Sequence, residues 1–197
     1  MPRSVPPVVP AGRMRDRAQP TLAVAPGVEL GPWNAADADA VIAAFADPAI
    51  RHWHMRRIDD RDEALAWIGA WADRWTAEID AGWAIRDAGS GTVMGQVALR
   101  TLHLGFGVGQ VTYWVRPKWR GRGVATTAAS AIAAWGFDEL GLHRIEIHHA
   151  VGNLASCRVA ERLGFELEGT ARSALLHEDG WHDMHVHARV ERGVRTE

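Results

Sequence analysis

The chain reads as an α/β domain built on a mixed β-sheet. Three observations predict it. Helical and strand periodicities alternate from Val28 to about His149. The last stretch, Phe165 to Leu176 and Trp181 to Val190, has the pattern of a hairpin around Glu178-Asp179-Gly180. Between them an aromatic strand, Val108 to Val115, runs through Arg116-Pro117-Lys118-Trp119-Arg120-Gly121-Arg122-Gly123 into an alanine-rich helix that ends near Phe137.

In order, the prolines at 2, 6, 7, 10, 20 and 26 and the lack of periodic hydrophobicity predict a flexible tail over residues 1–27. Those prolines also interrupt any secretory leader, and Met14 is a candidate alternative start. Residues 28–197 then form a single domain, as ~150 residues per domain suggests. Val28 to Trp33 alternates as a first strand, and a helix follows to Phe45, stopped by Asp47-Pro48. The basic, aromatic run Arg51-His52-Trp53-His54-Met55-Arg56 predicts a loop walling a site. Asp60 and Glu63 form a capping pair for a helix whose buried face carries Leu65, Ile68, Trp71, Trp75 and Ile79. Trp83 to Arg86 and Val93 to Leu99 make a hairpin across Gly89-Ser90-Gly91. His143 to His149 alternates as a strand, and a helix opens at Gly152-Asn153 and closes at Gly164.

A net charge of −2 offers no basic surface for nucleic acid. No apolar run approaches the ~18 to 20 residues of a membrane span. A single cysteine, Cys157, excludes an internal disulfide and fits a reducing compartment, so a cytoplasmic location is expected.

The glycine loop carries the chemistry. Gly121 and Gly123 let the backbone turn sharply and present bare N–H groups, while the following helix adds a positive dipole end. Such a turn suits an anion, above all a pyrophosphate. It lacks the lysine and hydroxyl of a nucleotide-binding P-loop and the spacing of a dinucleotide fingerprint, which disfavours a kinase or NTPase. About thirty residues on come Asn153-Leu154-Ala155-Ser156 and then Leu163-Gly164-Phe165.

Arg120-x-x-Gly123-x-Ala125 resembles the acyl-CoA pyrophosphate loop of the GCN5-related N-acetyltransferase (GNAT) superfamily. With Asn153-x-x-Ser156, the Gly164-Phe165 helix end and the Gly180-Trp181-His182-Asp183 turn, it resembles the ribosomal-protein-alanine acetyltransferase (RimJ/RimL-like) branch. The resemblance covers about residues 28–190. It implies a twisted mixed sheet with a V-shaped splay between the fourth and fifth strands, Val108–Val115 and His143–His149. It further implies an N-acyltransferase that uses acetyl-CoA as co-substrate on a primary amine, a protein N-terminus or a small molecule, by direct attack in a ternary complex. A homodimer is compatible with it. Pantetheine would pair with backbone near Trp114 and Val115 and with Asn153. The pyrophosphate would rest on Arg120, Gly121, Arg122, Gly123, Val124, Ala125 and Thr126. Ser156 would be the catalytic residue, assisting the departing thiolate. The chain departs from the branch at Ala174-Leu175-Leu176, where a glutamate base can stand. His54, Gln96, Glu146 and His177 stay open as alternatives for the base.

The ten histidines raise a metal question, since Asp183, His185 and His187 share one strand face. No second cluster at a recognised ligand spacing joins them, so no metal is expected. A module that holds acyl-CoA without chemistry is the alternative to an enzyme; release of free thiol with an amine present separates the two.

Overall fold

The computed structural model describes residues 5–191. In chain order its elements are β1 (Leu22–Ala25), β2 (Val28–Pro32), α1 (Ala38–Phe45), α2 (Pro48–His54), α3 (Arg61–Thr76), β3 (Ala81–Asp87), β4 (Val93–His103), β5 (Val108–Val115), α4 (Val124–Trp135), β6 (Arg144–Ala150), α5 (Leu154–Arg162), β7 (Glu166–His177) and β8 (Gly180–Val190). Among the described residues eight strands form one sheet, in the order β1-β2-β3-β4-β5-β6-β8-β7. The helices lie on its two faces. One side packs α4 onto Leu99, Ile145 and Ile147; the other packs α1 and α3 around Trp114.

The sheet opens in its middle. β5 and β6 are the parallel pair, and their register runs only from Val108↔Arg144 to Gln110↔Glu146. Beyond that point β5 continues to Val115, paired with β4, and β6 continues to Ala150, paired with β8. The free edges of the two strands therefore diverge and leave main-chain groups without a ladder partner. This is the expected splay between the expected strands. They are the fifth and sixth rather than the fourth and fifth because β1 adds a strand at the sheet edge.

β1 belongs to a segment expected to be a flexible tail, and several residues of that segment are instead fastened to the domain. Val9 and Met14 are buried in the α4-side core. Burying such side chains is worth ~1.5 to 3 kcal/mol each. Glu78 accepts hydrogen bonds from the backbone of Gly12 (2.9 Å), Met14 (2.8 Å) and Arg15 (3.4 Å). The indoles of Trp75 and Trp83 donate to the carbonyls of Arg17 and Pro20. Residues 1–4 and 192–197 lie outside the described residues.

Two further expectations are corrected. The run 51–56 is mostly helix, because Asp47 both ends one helix and caps the next: its Oδ1 accepts the Ile50 N–H at 3.0 Å, with Pro48 in the first turn. Met55, at φ 50°, stops α2. In α3 the buried face is Ala64, Trp67, Ile68, Trp71 and Trp75. Ile79 lies beyond the helix and is exposed, whereas Trp67 packs edge-on against Trp33 and Phe45. Asp60 caps α3 through the Glu63 N–H as expected, but the Glu63 carboxylate reaches back one residue further, to the Asp59 N–H.

Candidate active site

The end of β5 delivers the chain into a tight turn, Pro117–Trp119, and then into the glycine loop. Gly121 and Gly123 adopt φ of 73° and 78°, the left-handed region that only glycine enters without strain, and a Cβ on either would point into open space. Because Gly123 is the residue before the helix, α4 starts at Val124, not at Arg122, and has no side-chain cap. The first helical bond is Thr127 N–H to Gly123 O, so the amides of Val124, Ala125 and Thr126 have no partner within the helix. Arg120 fastens the loop: its Nε donates to Val115 O at 3.0 Å, and its Nη2 lies 2.5 Å from Asp47 Oδ1. Arg122 turns away and lies over the Trp119 ring, 5.3 Å from its centroid.

This corner forms one end of a cleft of about 500 Å³. Trp114, Val115, Arg120, Gly121, Gly123, Val124, Ala125, Thr126, Asn153 and Ser156 all line it; of the expected set, Arg122 does not. Trp114 contributes less than expected. Its indole is buried against Phe45 and Trp33, and its main chain belongs to the β4 ladder, as the neighbouring Arg116 N–H to Met94 O bond shows by strand alternation. The splay-facing groups belong to Tyr113 and Val115: His54 Nε2 donates to Tyr113 O at 3.2 Å, and Arg120 to Val115 O.

A second hollow, of about 570 Å³, meets the first, and Trp53, His54, Tyr113, Asn153 and Ser156 line both. At that junction Tyr113 bridges the splay, its Oη 2.8 Å from Ser156 Oγ. Burial pushes the Tyr113 phenol up to about 12, with the Ser156 hydrogen bond opposing, so it stays protonated at neutral pH. Burial likewise pushes His54 down to about 4, against the opposing bond to Tyr113 O, so its imidazole is neutral. Asn153 caps α5, its Oδ1 accepting the Ser156 N–H at 3.1 Å.

The second hollow is lined by Arg100, Gln110, His148, His149, Ala171, Ala174, Leu175, His177, Met184 and Val186 among others. Among the described residues no carboxylate lines it, and Ala174 and Leu175 occupy the wall where the related branch can place a glutamate. His148 is held by Glu146, Nε2 to Oε2 at 2.8 Å. Gln96 lies opposite Trp114 in the sheet and lines neither hollow.

Residues 28–166 match the acetyltransferase (GNAT) domain family. The chain belongs to that family. Among curated proteins of Bacillus subtilis (strain 168), the uncharacterized N-acetyltransferase YoaA is 26% identical over 157 residues, 79% of this chain and 88% of YoaA. YdaF, named there as a candidate ribosomal N-acetyltransferase, is 33% identical over 102 residues, 52% of this chain. The chain thus spans about 56% of YdaF's length. The GNAT fold is shared with RimL, a ribosomal L7/L12 α-N-protein acetyltransferase solved with coenzyme A, at a TM-score of 0.79 and 17% identity over 87% of this chain and 98% of that one. It is shared too with the microcin C7 self-immunity acetyltransferase MccE, solved with acetyl-CoA and AMP, at 0.76 and 19% over 85% and 94%.

Within this GNAT domain, sequence reasoning missed Tyr113 as a site residue. Tyr113 is the one tyrosine of the chain and sits beside Trp114, the residue expected to lie at the site. Only its edge position on β5, visible once the splay is known, distinguishes it. His148 was missed for the same reason, since nothing in a lone strand indicates that its histidines line a hollow.

Proposed function

We propose that this chain transfers an acyl group, acetyl in the first instance, from acyl-CoA to the nitrogen of an amine. The observation that supports it most is the uncapped start of α4, two left-handed glycines and three unpartnered amides, opening on a cleft that meets a second hollow beside Ser156. A diphosphate rests on the amides of Gly121 to Thr126, where the helix dipole favours negative charge. Pantetheine runs along the open edge of β5, taking the N–H groups of Tyr113 and Val115 as donors, while Asn153 reaches it through its amide NH₂. The thioester comes to lie at the junction of the two hollows.

The amine enters from the second hollow as the free base and attacks the thioester carbon. A main-chain N–H of the β5 edge stabilises the oxyanion. The C–S bond then breaks, the nitrogen loses its proton, and the thiolate leaves. Tyr113, held near 12, and Ser156 are both weaker acids than a thiol of pKa ~8.5, so the pair stabilises the thiolate by hydrogen bonding and does not hand over a full proton. The proton lost by the nitrogen is the one the thiolate finally keeps. His148, oriented by Glu146, is the base we favour: it lines the second hollow with a carboxylate partner, whereas Gln96 lines neither hollow, His54 Nε2 is committed to Tyr113 O and His177 Nδ1 to His52 O. The carboxylate-free, partly apolar wall with Arg100 fits an amine on an uncharged or anionic carrier, such as a peptide N-terminus, better than a polycation.

A panel of amines and N-terminal peptides with acetyl-CoA and succinyl-CoA, followed by free-thiol release, tests this reading. Thiol release with at least one amine supports it. Tight CoA binding with no amine-dependent thiol would make the chain a sensor of acyl-CoA.

A further inference from the structure

A second chemistry is built into the face of the sheet under α5. His149 on β6 stands opposite His185 on β8 in the antiparallel register, and His187 lies two residues along the same strand, so all three imidazoles share one face. α5 crosses that face and brings Cys157 over it. One ligand atom from each of His149, Cys157, His185 and His187 lies within 4.8 Å of the others. A tetrahedral zinc ion with Zn–N of ~2.0 to 2.1 Å and Zn–S of ~2.3 Å sets its ligand atoms about 3.3 to 3.6 Å apart. Small side-chain rotations close that difference.

The hydrogen bonds show that the nitrogens are prepared for it. His149 is 4% exposed and its Nδ1–H donates to Ala150 O at 2.9 Å; His187 is 2% exposed and its Nδ1–H donates to Phe165 O at 3.1 Å. In each ring the carbonyl fixes the tautomer and leaves an Nε2 lone pair that is buried without a partner. His185 adds a buried, unpartnered Nδ1. Three orphaned ring nitrogens converging on one point cost free energy unless something accepts their lone pairs. Imidazoles steadied by backbone carbonyls, plus a thiolate, are a donor set suited to zinc.

We propose that His149, Cys157, His185 and His187 bind one Zn²⁺ in a closed tetrahedral site. Four protein ligands leave no open position for chemistry, so its role is structural: it ties the start of α5, with Ser156 beside Cys157, to β6 and β8. Binding displaces the thiol proton to solvent, a proton now shared with Glu161 Oε1 at 3.4 Å. The sequence alone argued against a metal because no second cluster at a recognised ligand spacing joined Asp183, His185 and His187. The fold brings His149 from β6 and Cys157 from α5, and sends Asp183 elsewhere, to accept the Ser173 N–H at 2.8 Å. A second group, His52, His177 and His182, is the weaker candidate. It offers three ligands, and His182 Nε2 is already taken by Asp179 at 2.8 Å.

Cobalt(II) is the probe, added to full-length protein free of any histidine tag and stripped with chelator. The expected result is one cobalt per chain after gel filtration, with tetrahedral d–d absorption and a thiolate charge-transfer band, and a higher Tm than the stripped protein. His149 and His187 lie in the core, so Cys157→Ser, at a partly exposed position, carries the test. It should keep its circular dichroism, lose the charge-transfer band and bind cobalt at least about tenfold more weakly, one of four ligand bonds being changed. Failure to retain cobalt overturns the proposal. So does bound cobalt whose spectrum is unchanged in Cys157→Ser, or cobalt lost in His182→Ala and kept in Cys157→Ser.

Discussion

α5 begins at Asn153, whose Oδ1 accepts the Ser156 N–H and closes the first turn from within, whereas α4 begins at Gly123, which has no side chain to offer. Both helices open onto the same cleft. α2 and α3 are closed like α5, by Asp47 and Asp60. A third set of main-chain donors sharpens the contrast: the amides of Gly12, Met14 and Arg15 converge on a carboxylate, and the chain itself provides it as Glu78. Where this protein needs amides satisfied, it supplies an acceptor. At α4 it supplies two left-handed glycines and open space, the arrangement in which an incoming anion does the capping.

The largest effect should come from filling that place. Gly123→Glu puts a negative charge and a strained φ at the start of α4. CoA affinity by calorimetry should fall more than about 100-fold, since dipole attraction of up to ~2 kcal/mol is replaced by repulsion of similar size. Circular dichroism should stay that of the folded protein, and unchanged affinity would break the comparison.

Glu78→Gln removes the internal counterpart. It should destabilise the fold by about 1 to 2 kcal/mol in urea melts, the charge-assisted part of the bonds to residues 12–15. Burial would raise the Glu78 carboxyl, but the backbone donors Gly12, Met14 and Arg15 outweigh it and hold it below the usual 4.5. A depressed carboxyl stabilises above its unfolded value. That stability should therefore be whole above pH 4.5 and drain away as pH falls below it, with Glu78→Gln lacking this part of the acid dependence. Identical acid unfolding of the two proteins would remove Glu78 from the account.

Ser156→Ala and Tyr113→Phe leave the anion corner intact. Each should lower kcat about tenfold, one hydrogen bond of ~1.4 kcal/mol to the thiolate, with the KM for acyl-CoA little changed. A fall in affinity with turnover preserved would move the pair from the reacting sulfur to the binding arm. The smallest effect belongs to Asn153→Ala, which opens α5 as α4 is opened; loss of the cap should cost about 1 kcal/mol in thermal melts. No loss of stability there would mean that Asn153 serves the ligand alone.

Much of this was legible in the chain. The hairpins, the α5 boundaries and the glycine loop follow from periodicity and from Gly and Asn at positions where turns and caps require them, whereas α4 begins two residues later than expected, after Gly123. The loop glycines in particular could be read as an anion corner because left-handed backbone and bare amides are local properties. What could not be read depends on distant partners. Val9 and Met14 look like stray hydrophobics in a proline-rich tail until Leu104 accepts the Val9 N–H and Glu78, 64 residues beyond Met14, accepts the Met14 N–H. Trp67 rather than Leu65 faces the core because Trp33 and Phe45 stand opposite it. Tyr113 becomes a site residue only when β6 swings away and leaves Ser156 within reach. The four side chains proposed to hold zinc come from three elements, and no spacing within one of them announces the rest.

The most direct measurement is the amide spectrum of ¹⁵N-labelled protein titrated with coenzyme A. The largest shifts should fall on Gly121 to Thr126, with smaller ones along Tyr113 and Val115. Shifts confined to other parts of the chain, with the amides of Val124, Ala125 and Thr126 unmoved at saturation, would contradict the assignment of this helix start as the seat of the diphosphate.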